Sequence, residues 1–198
     1  MDEIVVRGMA KWPNVPAVYG WLSLDRRGNW LIKRERIGNP LVTEFIGRNY
    51  ARDERGCWYF QNGPQRVFVN LAYTPIVLRI VSHEGAPLAL SAHTGSPVAS
   101  LGGAWMDENG TMLLETGQGP ATIHDRDLER LLPHLIDING NPLSEAALDE
   151  LMELAQQGKL GPLWLKYHDS SLKIEAIASR DVPRRFGFVA QPEPPAGD

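Results

Sequence analysis

Hydrophobic and polar positions alternate with period two along most of the chain, and turn residues interrupt the alternation at intervals. Val18-Tyr19-Gly20-Trp21-Leu22-Ser23-Leu24 and Trp30-Leu31-Ile32 flank Asp25-Arg26-Arg27-Gly28. Aspartate caps such a turn through its side chain and glycine takes the positive φ, so the stretch predicts a β-hairpin. The D-x-x-G pattern recurs at Asp53-Glu54-Arg55-Gly56 and Asp107-Glu108-Asn109-Gly110, each ahead of strand formers. Asn62-Gly63, between Cys57-Trp58-Tyr59-Phe60 and Arg66-Val67-Phe68-Val69, predicts another hairpin. Further strands are expected at 76–81, 121–123, 163–167, 172–177 and 186–189.

Helical spacing takes over in three places. Asn39-Pro40 offers a side-chain cap and a rigid first turn, and Leu41, Phe45 and Ile46 predict an amphipathic helix to about Tyr50. Leu128, Leu131, Leu132 and Leu135 predict a short helix over 125–135. Asn141-Pro142-Leu143 opens a third, lined by Leu148, Leu151, Met152 and Ala155 and ended by Gly158. Pro13 and Pro16 deter helix, so an extended arm is expected over 1–16. Four prolines and glycines after Gln191 predict a disordered tail over 191–198.

The order hairpin, N-P-L helix, hairpin, x-Pro and strand occurs twice. The expected fold is therefore α+β and sheet-rich, with two related units of antiparallel hairpins, each covered by one helix. They span 17–81 and 99–190, joined by a connection at 82–98, and the second carries an inserted helix at 125–135.

Composition removes several function classes. A chain of 198 residues buries enough surface to fold without a metal or disulfide. Cys57 is the single cysteine, so no internal disulfide forms and a cytoplasmic location is expected, with Cys57 as a structural thiol. No apolar run of membrane-spanning length exists, and the acidic start Met1-Asp2-Glu3 is no secretory signal. His83, His93, His124, His134 and His168 show no helical ligand spacing, so neither metal nor cofactor is expected. The net charge of -4 hides a split, with +5 over residues 1–81 and -9 over 82–198.

D-x-x-G-x-W from Asp25, I-x-N-P-L from Ile37, W-Y-F-Q-N-G-P-Q-R-V from Trp58 and Y-T-P from Tyr73 resemble proteobacterial families of unknown function. One such family has the same motif order, and the resemblance implies a two-part fold of repeated α+β units, for which a signalling role is suggested. Another shares W-P-N-V-P, from Trp12, and W-Y-F-Q-N-G-P-Q-R-V nearly as they stand. The resemblance implies no catalytic residues.

The favoured reading is a non-enzymatic binding or interaction protein with a signalling or regulatory role. Its candidate surface is Trp12, Asn14, Gln61, Asn62, Gln65 and Arg66, where amide and guanidinium groups could grip a protein or a small polar or anionic ligand. Two other classes compete. A hydrolase-like enzyme would assemble His93, His168 and Asp169 between the units. A nucleic-acid binder would use Arg26, Arg27, Arg34 and Arg36 beside Trp12, Tyr19, Trp21, Trp30, Trp58 and Tyr59, but alternating aromatics read as a core face, and Asp25, Glu35 and the acidic balance also weigh against it. The carboxylate pairs at 53–54 and 107–108 read as turn chemistry. The charge split suggests contact between the units, or a homodimer.

Overall fold

The computed structural model describes residues 1–12, 15–157, 159 and 161–195. In chain order the elements are α1 (Glu3–Lys11), β1 (Val18–Leu24), β2 (Trp30–Ile32), β3 (Glu35–Arg36), α2 (Pro40–Arg48), β4 (Tyr50–Arg52), β5 (Trp58–Asn62) and β6 (Gln65–Leu71). Then come β7 (Ile76–Ile80), β8 (Leu90–Ala92), β9 (Leu101–Met106), β10 (Met112–Thr116), β11 (Gly119–Ile123) and α3 (Leu128–Leu131). The chain continues through β12 (Leu135–Ile136), α4 (Glu145–Gln156), β13 (Trp164–Tyr167), β14 (Ser170–Ala176) and α5 (Val182–Phe186). The α+β, sheet-rich class is as the alternation predicts.

One local device closes the hairpins. Asp25 Oδ1 accepts the N–H groups of Arg27 and Asn29, both at 2.8 Å. Asp53 does the same for Arg55 and Cys57 at 3.0 and 2.8 Å, and Asp107 for Asn109 and Thr111 at 2.9 and 2.8 Å. A fourth copy, absent from the sequence reading, stands at Asp137, which accepts from Asn139 and Asn141. In each, the glycine three residues on takes a φ between +74° and +83°.

The strands form two sheets. The first has the order β3-β2-β1-β6-β5-β4, and the second β12-β13-β14-β9-β10-β11-β7-β8. Both contain two three-stranded meanders separated by helical structure. The last strand of the second meander lies parallel to the first strand of the first, β6 on β1 and β14 on β9. The sheets are thus mixed rather than purely antiparallel. Because the meanders are joined through helices, the chain can return in the same direction.

Segments cross between the sheets. β7, expected to end the first unit, runs parallel to β11 in the second sheet, and β8 arises within the expected connection. After α5 the chain returns to the first sheet, where Val189 bridges Cys57 and Ala190 O accepts the Leu71 N–H at 2.8 Å. One apolar cluster runs through both sheets, from Leu24, Trp30 and Leu71 to Leu78, Leu113 and Leu165.

Four expectations are corrected. Residues 3–11 are helical rather than extended, because the prolines lie beyond the helix, Val5 is buried, and Asp2 N–H is anchored on Asn49 Oδ1 at 2.8 Å. Asn39 caps α2, accepting from Leu41 N–H at 3.0 Å, but Asn141 caps nothing. The Asp137 turn captures Asn141, and Pro142 bridges Ile136, so α4 begins past this motif, with Ala147 N–H on Ser144 Oγ. α3 lies between β11 and β12, as α2 lies between β3 and β4, and α4 lies between β12 and β13. Val182-Pro183 starts α5 rather than ending a strand, since proline suits a first helical turn, and Gly187 at φ +64° ends it. Leu148, Met152, Ala155 and Gly158, expected to line or end the third helix, lie outside the described side chains and residues. The tail is anchored at its base, where Pro192 is buried.

Asp107 is 1% exposed and also accepts the Tyr73 hydroxyl at 2.7 Å. Asp107→Ala strands three donors and should cost about 3 kcal/mol, whereas Asp137→Ala, in an exposed turn, should cost about 1 kcal/mol. Urea unfolding of both variants checks this ranking; equal losses would contradict it.

Candidate functional site

An irregular edge of β1 opens a groove. Val18 pairs with Val67 and Leu22 with Val69, so three residues of β1 stand opposite one of β6. Gly20, at φ +74°, absorbs the excess. The shift leaves Leu22 buried and turns Trp21 outward, 53% exposed. Trp21, Ile32, Val42, Phe60 and Val67 line a groove of about 640 Å³ between the sheet and α2. Tyr19, Asn62 and Gln65 complete its wall.

A strained basic turn borders it. Ile32 pairs with Glu35, leaving Lys33-Arg34 as a two-residue loop. Both have positive φ, +47° and +72°. That geometry favours Asn-Gly, and a lysine or arginine there costs roughly 1 kcal/mol or more. Lys33 Nζ sits 3.9 Å from the Trp21 ring centre. Among the described residues Lys33, Arg34 and Arg36 enter no ion pair. The groove is therefore apolar within, and the Lys33-Arg34 turn brings cations to one rim, next to Glu35, which pairs with Ile32.

Of the candidate residues, the structure brings Asn62 and Gln65 to this groove. Gln65 Nε2 also donates to Pro16 O at 3.2 Å. Gln61 is 1% exposed, its amide donating to Gly63 O at 2.9 Å and its Oε1 unpartnered. Gly8 of α1 faces Gly63 and Pro64, so the helix covers the turn. Arg66 lies 4.7 Å over the Tyr59 ring, with Gln65 and Val67 pointing to the opposite side of the strand. Trp12 is exposed at the end of α1, apart from the groove lining, and Asn14 lies outside the described residues. Lys33 was missed, and Trp21 and Arg34 were weighed only for nucleic acid. A glycine inside a strand run, and Lys-Arg where a tight hairpin wants Asn-Gly, were the available signals.

The aromatic residues are mostly packed. Tyr59 and Phe68 are buried, with Tyr19 stacked on Phe68 at 4.5 Å and Arg55 over Phe68 at 5.3 Å. These rings offer no free face to a base. Arg27 pairs with Asp125 at 2.6 Å and Arg79 with Asp127 at 2.6 Å, so both ion pairs join the basic half to the acidic half.

His93 does not join His168 and Asp169. His168 and Asp169, on the β13–β14 turn, border a separate cleft of about 930 Å³ with His83 and His134. Arg130 in that cleft is committed to the carbonyls of Ile80 and Ser82 at 2.6 and 2.5 Å. Burial and nearby Lys166 hold the His134 pKa below its ordinary value. Among the described residues no three His, Cys, Asp or Glu side chains are placed to hold a metal. His93 stands elsewhere, 5.3 Å from Trp30 and 6.0 Å from Tyr50 between ring centres. Its Nδ1 accepts the Val77 N–H at 3.2 Å, so Nε2 carries the proton, sealed from solvent without a partner.

The fold and groove define an α+β protein of two mixed sheets with an open apolar cleft on one of them. The chain belongs to the DUF2944 family, whose description is protein of unknown function (DUF2946), with residues 1–193 matched. Its fold is similar to that of a DUF1285 family protein from Silicibacter pomeroyi DSS-3, at TM-score 0.55 and 15% identity, covering 83% of this chain and 85% of that one. A DUF1285 family protein from Shewanella baltica OS155 matches at TM-score 0.41 and 8% identity, covering 56% of this chain and 88% of that one. No curated protein matches the chain. No helix among the described residues is long and apolar enough to cross a membrane.

Burial depresses the His93 pKa from 6.5 to about 4. Between these values the unfolded chain takes up a proton that the folded protein refuses. Stability should thus fall as pH drops from 6.5 to 4, by about 3 kcal/mol at most, and this contribution should level off below. His93→Asn keeps an acceptor for Val77 without the titration. Urea unfolding across this range should show a shallower decline for the variant.

Proposed function

We propose that this protein is a non-enzymatic binding protein of the cytoplasm whose groove beside Trp21 takes a short apolar segment flanked by acidic residues. The observation that carries the reading is the Lys33-Arg34 turn. It holds two cations in a costly backbone conformation at the rim of an apolar groove, and strain of this kind clusters at functional sites. Apolar anchors would fill the space between Trp21, Val42 and Val67, and carboxylates would meet Lys33 and Arg34. The +5 charge of residues 1–81 would draw such a partner in. Partner capture of this kind suits a signalling or regulatory role. The buried lone Cys57 fits a reducing compartment. The matching strand order of the two sheets supports an internal duplication, one copy having kept the open groove.

Random peptides displayed on phage and selected on the immobilised protein test the reading. Recovered sequences should join an apolar anchor to Asp or Glu, and Trp21→Ala should weaken them about tenfold or more. The double variant Lys33→Asn, Arg34→Gly separates binding from folding. It should raise stability by about 1 kcal/mol, by relieving the turn, and still lose affinity for the selected peptides. Peptides indifferent to all three substitutions would overturn the proposal.

A further inference from the structure

Resting on that groove reading, we infer that its occupant is the proline-rich tail of a second copy of this chain. The tail reads Gln191-Pro192-Glu193-Pro194-Pro195-Ala196-Gly197-Asp198. Its base is fixed. Pro192 is buried, and Ala190 O and Gln191 Nε2 both engage the Leu71 backbone. Glu193, Pro194 and Pro195 are then exposed and line no part of their own chain's groove.

The chemistry of tail and groove match. Proline presets φ, so a Pro-rich segment is already extended and loses little entropy on docking. Such segments pack their rings against aromatic side chains, and here the exposed Trp21 supplies one. An extended proline helix leaves its carbonyls without internal partners, and the Asn62 amide at the groove wall can donate to one. Glu193 and Asp198 are the tail's charges, and Lys33 stands at the rim against Trp21, with Arg34 beside it in the same turn. The tail comes from the half of net charge -9 and the groove from the half of +5, so exchange between copies brings unlike charges together. Reciprocal exchange, each tail in the other's groove, closes a two-fold dimer.

Sedimentation equilibrium of the full chain should show a concentration-dependent rise towards twice the chain mass. Trp21→Ala, with an intact tail, and a chain ending at Pro192, with an intact groove, should each sediment as monomers. Mixed together they should form a heterodimer, because each supplies what the other lacks. A mixture that stays monomeric, or a dimer that survives both changes, overturns the inference. A monomeric full chain, with a synthetic 189–198 peptide binding only the truncated chain, places the tail in its own groove and overturns the second copy. Phage-selected peptides that bind where the tail peptide does not overturn the tail and leave the groove reading standing. If neither binds, both fail.

Discussion

A carboxylate that accepts two backbone N–H groups at the head of a hairpin is the interaction on which the rest of this structure depends. It occurs at Asp25, Asp53, Asp107 and Asp137 with the same geometry. Three of these turns also dock the halves of the molecule. A side chain at Gly28 would reach within 2.8 Å of His93 Cβ, and one at Gly56 would collide with the backbone at Gly187. Asp107 takes the Tyr73 hydroxyl across the same divide. Each turn therefore fixes a strand pair locally and, through its glycine or its carboxylate, sets how closely the other half can approach. At Gly28 and Gly56 both conformation and space oppose alanine, whereas at Gly110 and Gly140 only the positive φ does.

The two halves are bound by crossing strands as well as by docking turns. β7 leaves the first half to extend the second sheet, and residues 188–190 return from the second half to the first. The main apolar cluster is continuous through both halves, and a smaller one gathers Cys57, Tyr59 and Phe68. Against that shared core, the groove beside Trp21 is an exception. The extra residues of β1 turn a large ring outward where regular pairing would alternate it across the sheet, and the next hairpin keeps two cations where Asn-Gly would relax the backbone. Local rules are broken here twice within a short stretch, while nearly every other turn obeys them. Departures of this kind are expected where function competes with stability.

Much of the fold was legible because its signals are local. Asp25, Asn39 and Asn62-Gly63 act on their own neighbours, and period-two alternation marks strands wherever one face is buried. The same reasoning misplaced Asn141, since a cap competes with whatever turn precedes it, and the Asp137 turn had already claimed that residue. The candidate site was read only in part. Asn62 and Gln65 reach the groove, but Gln61 is buried beneath α1 and Arg66 stacks on the other face. Gln61 pairs with Arg66 and Asn62 with Gln65 in a regular hairpin, so the two pairs take opposite faces, and only the packing of α1 and α2 decides which face is open.

The sequence by itself determined the class, the hairpins and the capped helix α2, because each follows from bonds between residues a few positions apart. It also contained the charge split and the unusual Lys33-Arg34 turn. Only the tertiary structure decided which sheet β7 joins, that the two sheets share one strand order, and that His93 and His168 lie apart. Those outcomes depend on contacts between distant segments, where burial of a shared apolar surface selects one arrangement among several that the local signals permit equally.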